Sequence, residues 1–135
     1  MAFINDFITT LRAIQSVSDD VGDRTYALVD TGKELPSIIF NTRGLAPDTY
    51  TKDSSGLTDT LIQLDIYADT YTQLNTLRED VIAEFNNYSG TMGADTIVSS
   101  CKVVNTREEL DASNREVFRA IIEIRVLHSQ SEEDL

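Results

Sequence analysis

The stretch Leu61–Gly90, LIQLDIYADTYTQLNTLREDVIAEFNNYSG, decides how this chain folds. From Leu61 to Ala68, Ile62, Leu64 and Ile66 fall on one side and Gln63, Asp65 and Tyr67 on the other, the period of a strand with one buried face. Thr70 then stands three residues before Gln73, the spacing of a capping box. Leu74, Leu77, Val81, Phe85 and Tyr88 follow as one helical stripe, and Gly90 can adopt the left-handed conformation that ends helices. The unit carries no obvious catalyst. It reads as an element made to pack.

Working outward, Phe3, Ile4, Phe7, Ile8, Leu11 and Ile14 recur at helical spacing near the N-terminus, and the acidic turn Ser18–Asp23 is expected to end that helix. Short strands are expected at 25–29 and 37–42, with Pro36 at a strand start where its missing donor matters little. Beyond the central helix, 96–104 and 117–128 read as two further strands. In the second, Phe118, Ala120, Ile122, Ile124 and Val126 alternate with Arg119, Glu123 and Arg125. The polar stretch 105–116 reads as an exposed loop. The expected class is α+β: a mostly antiparallel β-sheet with two helices packed on one face, in the order α-β-β-β-α-β-β.

The segment 41–60 is the unusual piece. It joins two good strands yet contains Gly44, Pro47 and Gly56 and a polar run, Thr51–Ser55. Connections this long are commonly functional or disordered. A projecting hairpin arm, a mobile loop and a lid are all compatible with it; the arm with a mobile tip is favoured because no catalytic residue lies nearby for a lid to cover. Tyr50 within it is either an anchor for a partner surface or a ring folded back on its own loop.

Length and composition narrow the function. With 135 residues, the chain reads as one domain over 1–128 and an acidic, flexible C-terminal tail over 129–135. Lys and Arg total 11 against 23 Asp and Glu, a formal charge of −12. That balance disfavours gripping nucleic acid through its phosphates or settling on anionic lipid. The acids read either as a solvated surface or as a wall that DNA slides past. One cysteine, Cys101, allows no internal disulfide and fits a reducing compartment. The N-terminus lacks the pattern of a secretion signal, and no apolar run is long enough to span a bilayer.

Chemistry is sparse. The single histidine, His128, closes the last strand in phase with its apolar residues and reads as a core-boundary residue without nameable partners. Asp19, Asp20 and Asp23 lack the alternation of a calcium loop and read as a solvated turn. Asp65 is expected to hydrogen-bond across a subunit contact or to water. Cys101 reads as a small buried hydrophobe. No catalytic residue, cofactor or metal is expected.

Several segments carry a resemblance. Gly22-Asp23-Arg24-Thr25-Tyr26, Leu35-Pro36-Ser37-Ile38-Ile39-Phe40, Gly56-Leu57 followed by Leu64-Asp65-Ile66-Tyr67-Ala68-Asp69-Thr70-Tyr71, Ser89-Gly90-Thr91 and a last strand ending in histidine occur in that order across 19–128. In this the chain resembles the tail-completion or tail-terminator proteins of long-tailed bacteriophages. It departs from them at Leu127, where an aromatic is common, and in its more acidic end. The resemblance implies a virion structural protein, assembled in the bacterial host cytoplasm and without enzymatic turnover. It would form a hexameric ring at the head-proximal end of the tail tube, stop tube polymerisation and join the tail to the head connector. Implied partners are further copies of the chain, the tail-tube protein and the connector or stopper, with DNA passing through the lumen unbound. The interface residues expected under this reading are Arg43, Leu45, Tyr50, Lys52 and Asp53 in the arm, and Arg107, Glu108, Glu109 and Arg115 in the second loop. A tail-tube subunit or head-side stopper is the nearest alternative, and a small ligand-binding or enzymatic α+β domain the distant one.

Overall fold

A computed structural model describes residues 2–22, 25–27, 35–43, 58–111 and 117–130. Its centre is the pairing of two long strands, β3 (Thr58–Ala68) and β6 (Val117–Gln130), whose antiparallel register sets Ile62 against Ile124, Leu64 against Ile122 and Ile66 against Ala120. These six side chains all point to one side and are buried. The sheet continues outward from this pair. On one side lie β2 (Ser37–Arg43) and, parallel to it, β1 (Thr25–Ala27). On the other lie β5 (Thr96–Asp111) and β4 (Gly90–Met92). The six described strands stand in the order β1-β2-β3-β6-β5-β4.

The helices cover the apolar side. α1 (Ala2–Arg12) buries Phe3, Phe7 and Leu11, and α3 (Tyr71–Phe85) buries Leu74, Leu77, Val81 and Phe85. Phe7 stacks on Phe85 with ring centroids 4.4 Å apart, tying the two helices together over the sheet. Both belong to one apolar cluster with the inward residues of β3 and β6. Thr70 caps α3 as its spacing predicted, accepting a hydrogen bond from the backbone N–H of Gln73 at 3.3 Å.

The α+β class and the mostly antiparallel sheet agree with expectation, but the element order gains two members. The first helix is broken not by the acidic turn but at Ile14, whose backbone is extended, and Gln15–Asp20 forms a second short helix, α2. Val17 and Val21, one turn apart, are both fully buried, so this segment gains by staying helical. Gly22, with φ of +62°, ends it and donates to the Val17 carbonyl. The central helix stops at Phe85 rather than at Gly90. Asn86 is extended and Asn87 takes the left-handed conformation, freeing Gly90 to begin β4. Tyr88 is therefore not on the helix, although its ring still packs against the core.

The largest correction concerns 105–116. β5 runs on to Asp111, so Arg107, Glu108 and Glu109 belong to a strand and not to a loop. Two register irregularities, between Val98 and Ser100 and between Val103 and Asn105, each insert one residue. Each insertion resets the alternation, which hides the strand from a simple period-2 reading. The proposed arm lies mostly in 44–57, outside the described residues. β6 extends through Gln130, into the segment read as tail.

One buried carboxylate fastens α1 to the sheet. Asp6 Oδ2 accepts the backbone N–H groups of Asp95 and Thr96 at 3.2 and 3.0 Å and the Thr96 hydroxyl at 2.7 Å, and its Oδ1 accepts the N–H of Ala94 at 3.2 Å. Burial alone would push this carboxyl up, but the hydrogen bonds outweigh it and hold the group below its ordinary range. The close approach depends on Gly93, which has φ of +63° and where a Cβ would sit 2.3 Å from Asp6 Oδ1. Gly22 has a similar φ but nothing within 4 Å of its Cβ position. Gly22→Ala is expected to cost about 1 kcal/mol, the ordinary left-handed penalty. Gly93→Ala, adding the collision with Asp6, is expected to cost about 2 kcal/mol or more. Urea unfolding of the two variants measures the difference, and equal losses would contradict the role given to Asp6.

Candidate functional site: the outer face and open edge of the sheet

The side of the sheet away from the helices is charged and internally paired. Asp65, nearly buried at the centre of β3, accepts from Arg119 of β6 at 2.7 Å and from its strand neighbour Gln63 at 2.9 Å. Arg119 also reaches Glu109 of β5 at 3.2 Å, and its guanidinium lies 5.7 Å from the centre of the Tyr67 ring. Burial works against the Arg119 charge, but the hydrogen bond and attraction of Asp65, with Tyr67 and Glu109 behind, raise its pKa above the usual value. Arg107 joins the group through Glu109 at 3.6 Å. Farther along, Asp59 accepts both Nε and a terminal nitrogen of Arg125, a two-pronged contact that raises the arginine's pKa.

The three described residues of the expected second interface divide between the two sides. Arg107 and Glu109 stand opposite Ile121 and Arg119 on the outer face. Glu108 stands opposite Ala120 on the helix side, where it holds Arg78 at 2.9 Å and the Tyr71 hydroxyl at 3.0 Å. Hydrogen bonding to Glu108 raises the Tyr71 pKa. Arg43 is the last residue of β2, in register with Leu61. Leu45, Tyr50, Lys52, Asp53 and Arg115 lie outside the described residues. The pairs Asp65–Arg119 and Asp59–Arg125 escape sequence reading because only the β3–β6 register brings them together. Opposite charges in phase on two alternating strands were the available hint.

The outer edge of β5 is closed for only part of its length. β4 pairs with 96–98. The residues after α3 then take over: Asn87 N–H donates to the Cys101 carbonyl at 2.8 Å, and the Asn86 side chain accepts from the Val103 N–H at 3.1 Å. Beyond Val103, no described strand pairs with this edge. Val104, the residue inserted at the second irregularity, is 52% exposed and marks where the open stretch begins.

The chain's two most reactive residue types are withdrawn into the interior. Cys101 is buried, and desolvation pushes its thiol up to about 12, far from thiolate formation at neutral pH. His128 stacks on Phe3 at 3.8 Å and shares a 3.0 Å hydrogen bond with Thr60. Desolvation lowers its pKa to about 4, against a weaker opposing pull from Asp59. Among the described residues no group of His, Cys, Asp and Glu has the arrangement of a metal site, and no helix is long and apolar enough to cross a membrane. A cleft of about 490 Å³ beside α1 is lined by Ile4, Ile8 and Phe40, with Arg12 at its end donating to Thr25.

No protein-family model matches this chain, and no curated protein matches its sequence. Its fold does have a solved counterpart. A chain in the virion of a native gene transfer agent particle superimposes with a TM-score of 0.70 at 10% identity, over 92% of this chain and 91% of that one.

Two measurements probe this site. Removing Arg119 strands the nearly buried Asp65 charge, so Arg119→Met is expected to cost about 2 kcal/mol of unfolding free energy. Arg107→Met, breaking an exposed pair, should stay within about 0.5 kcal/mol. Because His128 titrates near 4 when folded and near 6.5 when unfolded, the unfolded chain binds the extra proton between those values, so its contribution to stability is lost as pH falls from 6.5 toward 4. His128→Gln is expected to flatten that part of the stability–pH curve. A variant that tracks the parent across the window would show that the imidazole is not responsible.

Proposed function

We propose that this protein is a virion structural component that terminates a phage tail tube: copies close into a ring, hexameric in the related family, at the head-proximal end, halt addition of tube subunits and present a joint to the head connector. The observation that carries this reading is the whole-length fold likeness to a chain of a gene transfer agent virion, reached independently of the ordered sequence segments that resemble tail terminators.

Physical features support a protein that works by shape. The lone histidine is desolvated and the lone cysteine is held as a thiol, which leaves acyl transfer and thiol chemistry without a nucleophile–base pair. A sheet with open backbone at an edge is suited to pairing between copies. A heterologous contact closes into a ring where its rotation permits. The net charge of −12 fits a lumen that DNA crosses without adhering. In this reading the ring contacts a tail-tube protein on one face and a connector or stopper on the other, and the segment from Arg43 to Asp53 reaches the tube or a neighbouring copy.

Electron microscopy of particles lacking the protein tests the role. Overlong or headless tails are expected; absent tubes would instead identify a tube subunit, and intact tails on unfilled necks a head-side stopper. Deleting Thr51–Ser55 is expected to leave a folded protein, by circular dichroism and thermal melting, that no longer caps tubes. Tails of normal length in that mutant would refute a role for the arm.

A further inference from the structure

The cleft between α1 and the β1–β2 margin holds a charge with no counterpart. Ile4, Ile8 and Phe40 form its apolar walls, its volume is about 490 Å³, and no acid lines it. Arg12 stands at one end, where its Nε donates to the Thr25 hydroxyl at 2.8 Å. Among the described side chains, Arg78, Arg107, Arg119 and Arg125 each hold a carboxylate, whereas Arg12 holds none. In a chain of net charge −12, an arginine without an acid beside an apolar cleft invites a carboxylate from elsewhere. We propose that the cleft seats the chain's own acidic segment, Ser131-Glu132-Glu133-Asp134-Leu135, which lies beyond the described residues. Its carboxylates meet Arg12, and Leu135 packs against Ile8 and Phe40.

The end of β6 delivers that segment to the cleft. Gln130 stands opposite Thr96, whose N–H and hydroxyl are held by Asp6 of α1. His128, two residues earlier, stacks on Phe3 of the same helix. The chain therefore leaves the sheet beside the turn that contains Ile4 and Asn5, where the cleft begins. From Ile4 to Arg12 the helix advances about 12 Å. Five extended residues span about 17 Å, and an arginine on a helix leans back toward the helix start. Asp134 thus comes within reach of the guanidinium.

Composition directs the segment to this cleft rather than to the outer face. Glu132, Glu133 and Asp134 stand in a row, and Leu135 is the first aliphatic residue after Leu127. On the outer face Arg107, Arg119 and Arg125 already have acid partners, and Lys102 donates to Asn87 at 2.8 Å. A carboxylate arriving there would compete with an existing contact, whereas at Arg12 it displaces none. An exposed ion pair is weak by itself. Ile4, Ile8 and Phe40 are only partly buried, so covering them with Leu135 adds an apolar gain. Tethering supplies the rest, because a short connection holds the segment at an effective concentration on the order of millimolar.

The seat is independent of the ring reading and is tested by thiol protection. Asn5→Cys and Thr9→Cys, made separately, each place a thiol at an exposed position on the cleft wall, while the buried Cys101 stays silent. Labelling by an uncharged maleimide is then timed in the full chain and in a chain shortened by 131–135. The full chain is expected to label about three-fold more slowly, and Arg12→Glu in the full chain should abolish that difference. Adding a peptide of the sequence 129–135 to the shortened protein should restore protection. Equal rates with and without 131–135 at both positions would overturn the proposal. Protection that survives Arg12→Glu unchanged would overturn the role given to that arginine. Protection that grows with protein concentration would place the segment on a neighbouring copy and overturn the intramolecular seat.

Discussion

The registration of β3 against β6 is the constraint on which the molecule rests. Each strand is apolar on alternate residues, and the register aligns them so that Ile62, Leu64 and Ile66 are buried on one side together with Ala120, Ile122, Ile124 and Val126. A slip by one position would turn Ile62, Leu64 and Ile66 to water and bring Asp65 into the core. The same alignment brings Asp65 to Arg119 and Asp59 to Arg125 on the other side. Apolar burial and charge pairing thus select one register, the first through its magnitude and the second through the cost of leaving a nearly buried carboxylate alone. The helices follow from this. They cover the face that the register has made apolar, and the Phe7–Phe85 stack joins them above it.

Asp6 plays the complementary part at the sheet's margin. A helix lying on a sheet through apolar contacts can slide at modest cost, whereas a carboxylate receiving four directed hydrogen bonds from 94–96 cannot. The turn that supplies those donors also launches β5, so the position of α1 and the start of the longest strand are set together.

What could be read from the residues alone was whatever follows one unbroken period. Leu61–Ala68 and the stripe of Leu74, Leu77, Val81 and Phe85 are such runs, and both appear where expected. The break at Ile14 was not legible, because Val17 and Val21 extend the apolar spacing of the first helix past a bend that only packing against the core requires. The far half of β5 was concealed by its two inserted residues and by side chains, from Asn105 to Glu109, that are polar on both faces and so resemble a loop. The candidate site was less legible still. Arg107 and Glu109 were identified as residues of interest, but their partner Arg119 and the nearly buried Asp65 come together only through pairing between distant strands, information that no local window contains.

The two irregularities in β5 also bear on how this chain can drift over time. Each adds one extra residue to the ladder, so the residues beyond it keep the side their β6 partners fix: Thr96 and Val98, Cys101 and Val103, and Thr106 and Glu108 all face the helices. Loss of either inserted residue, Ser99 or Val104, would leave everything beyond it facing as before, whereas loss of any one paired residue would exchange the inner and outer surfaces beyond the gap. Single-residue length variation is therefore tolerated at these two points and penalised elsewhere in the strand, and relatives of this protein should gain or lose residues there.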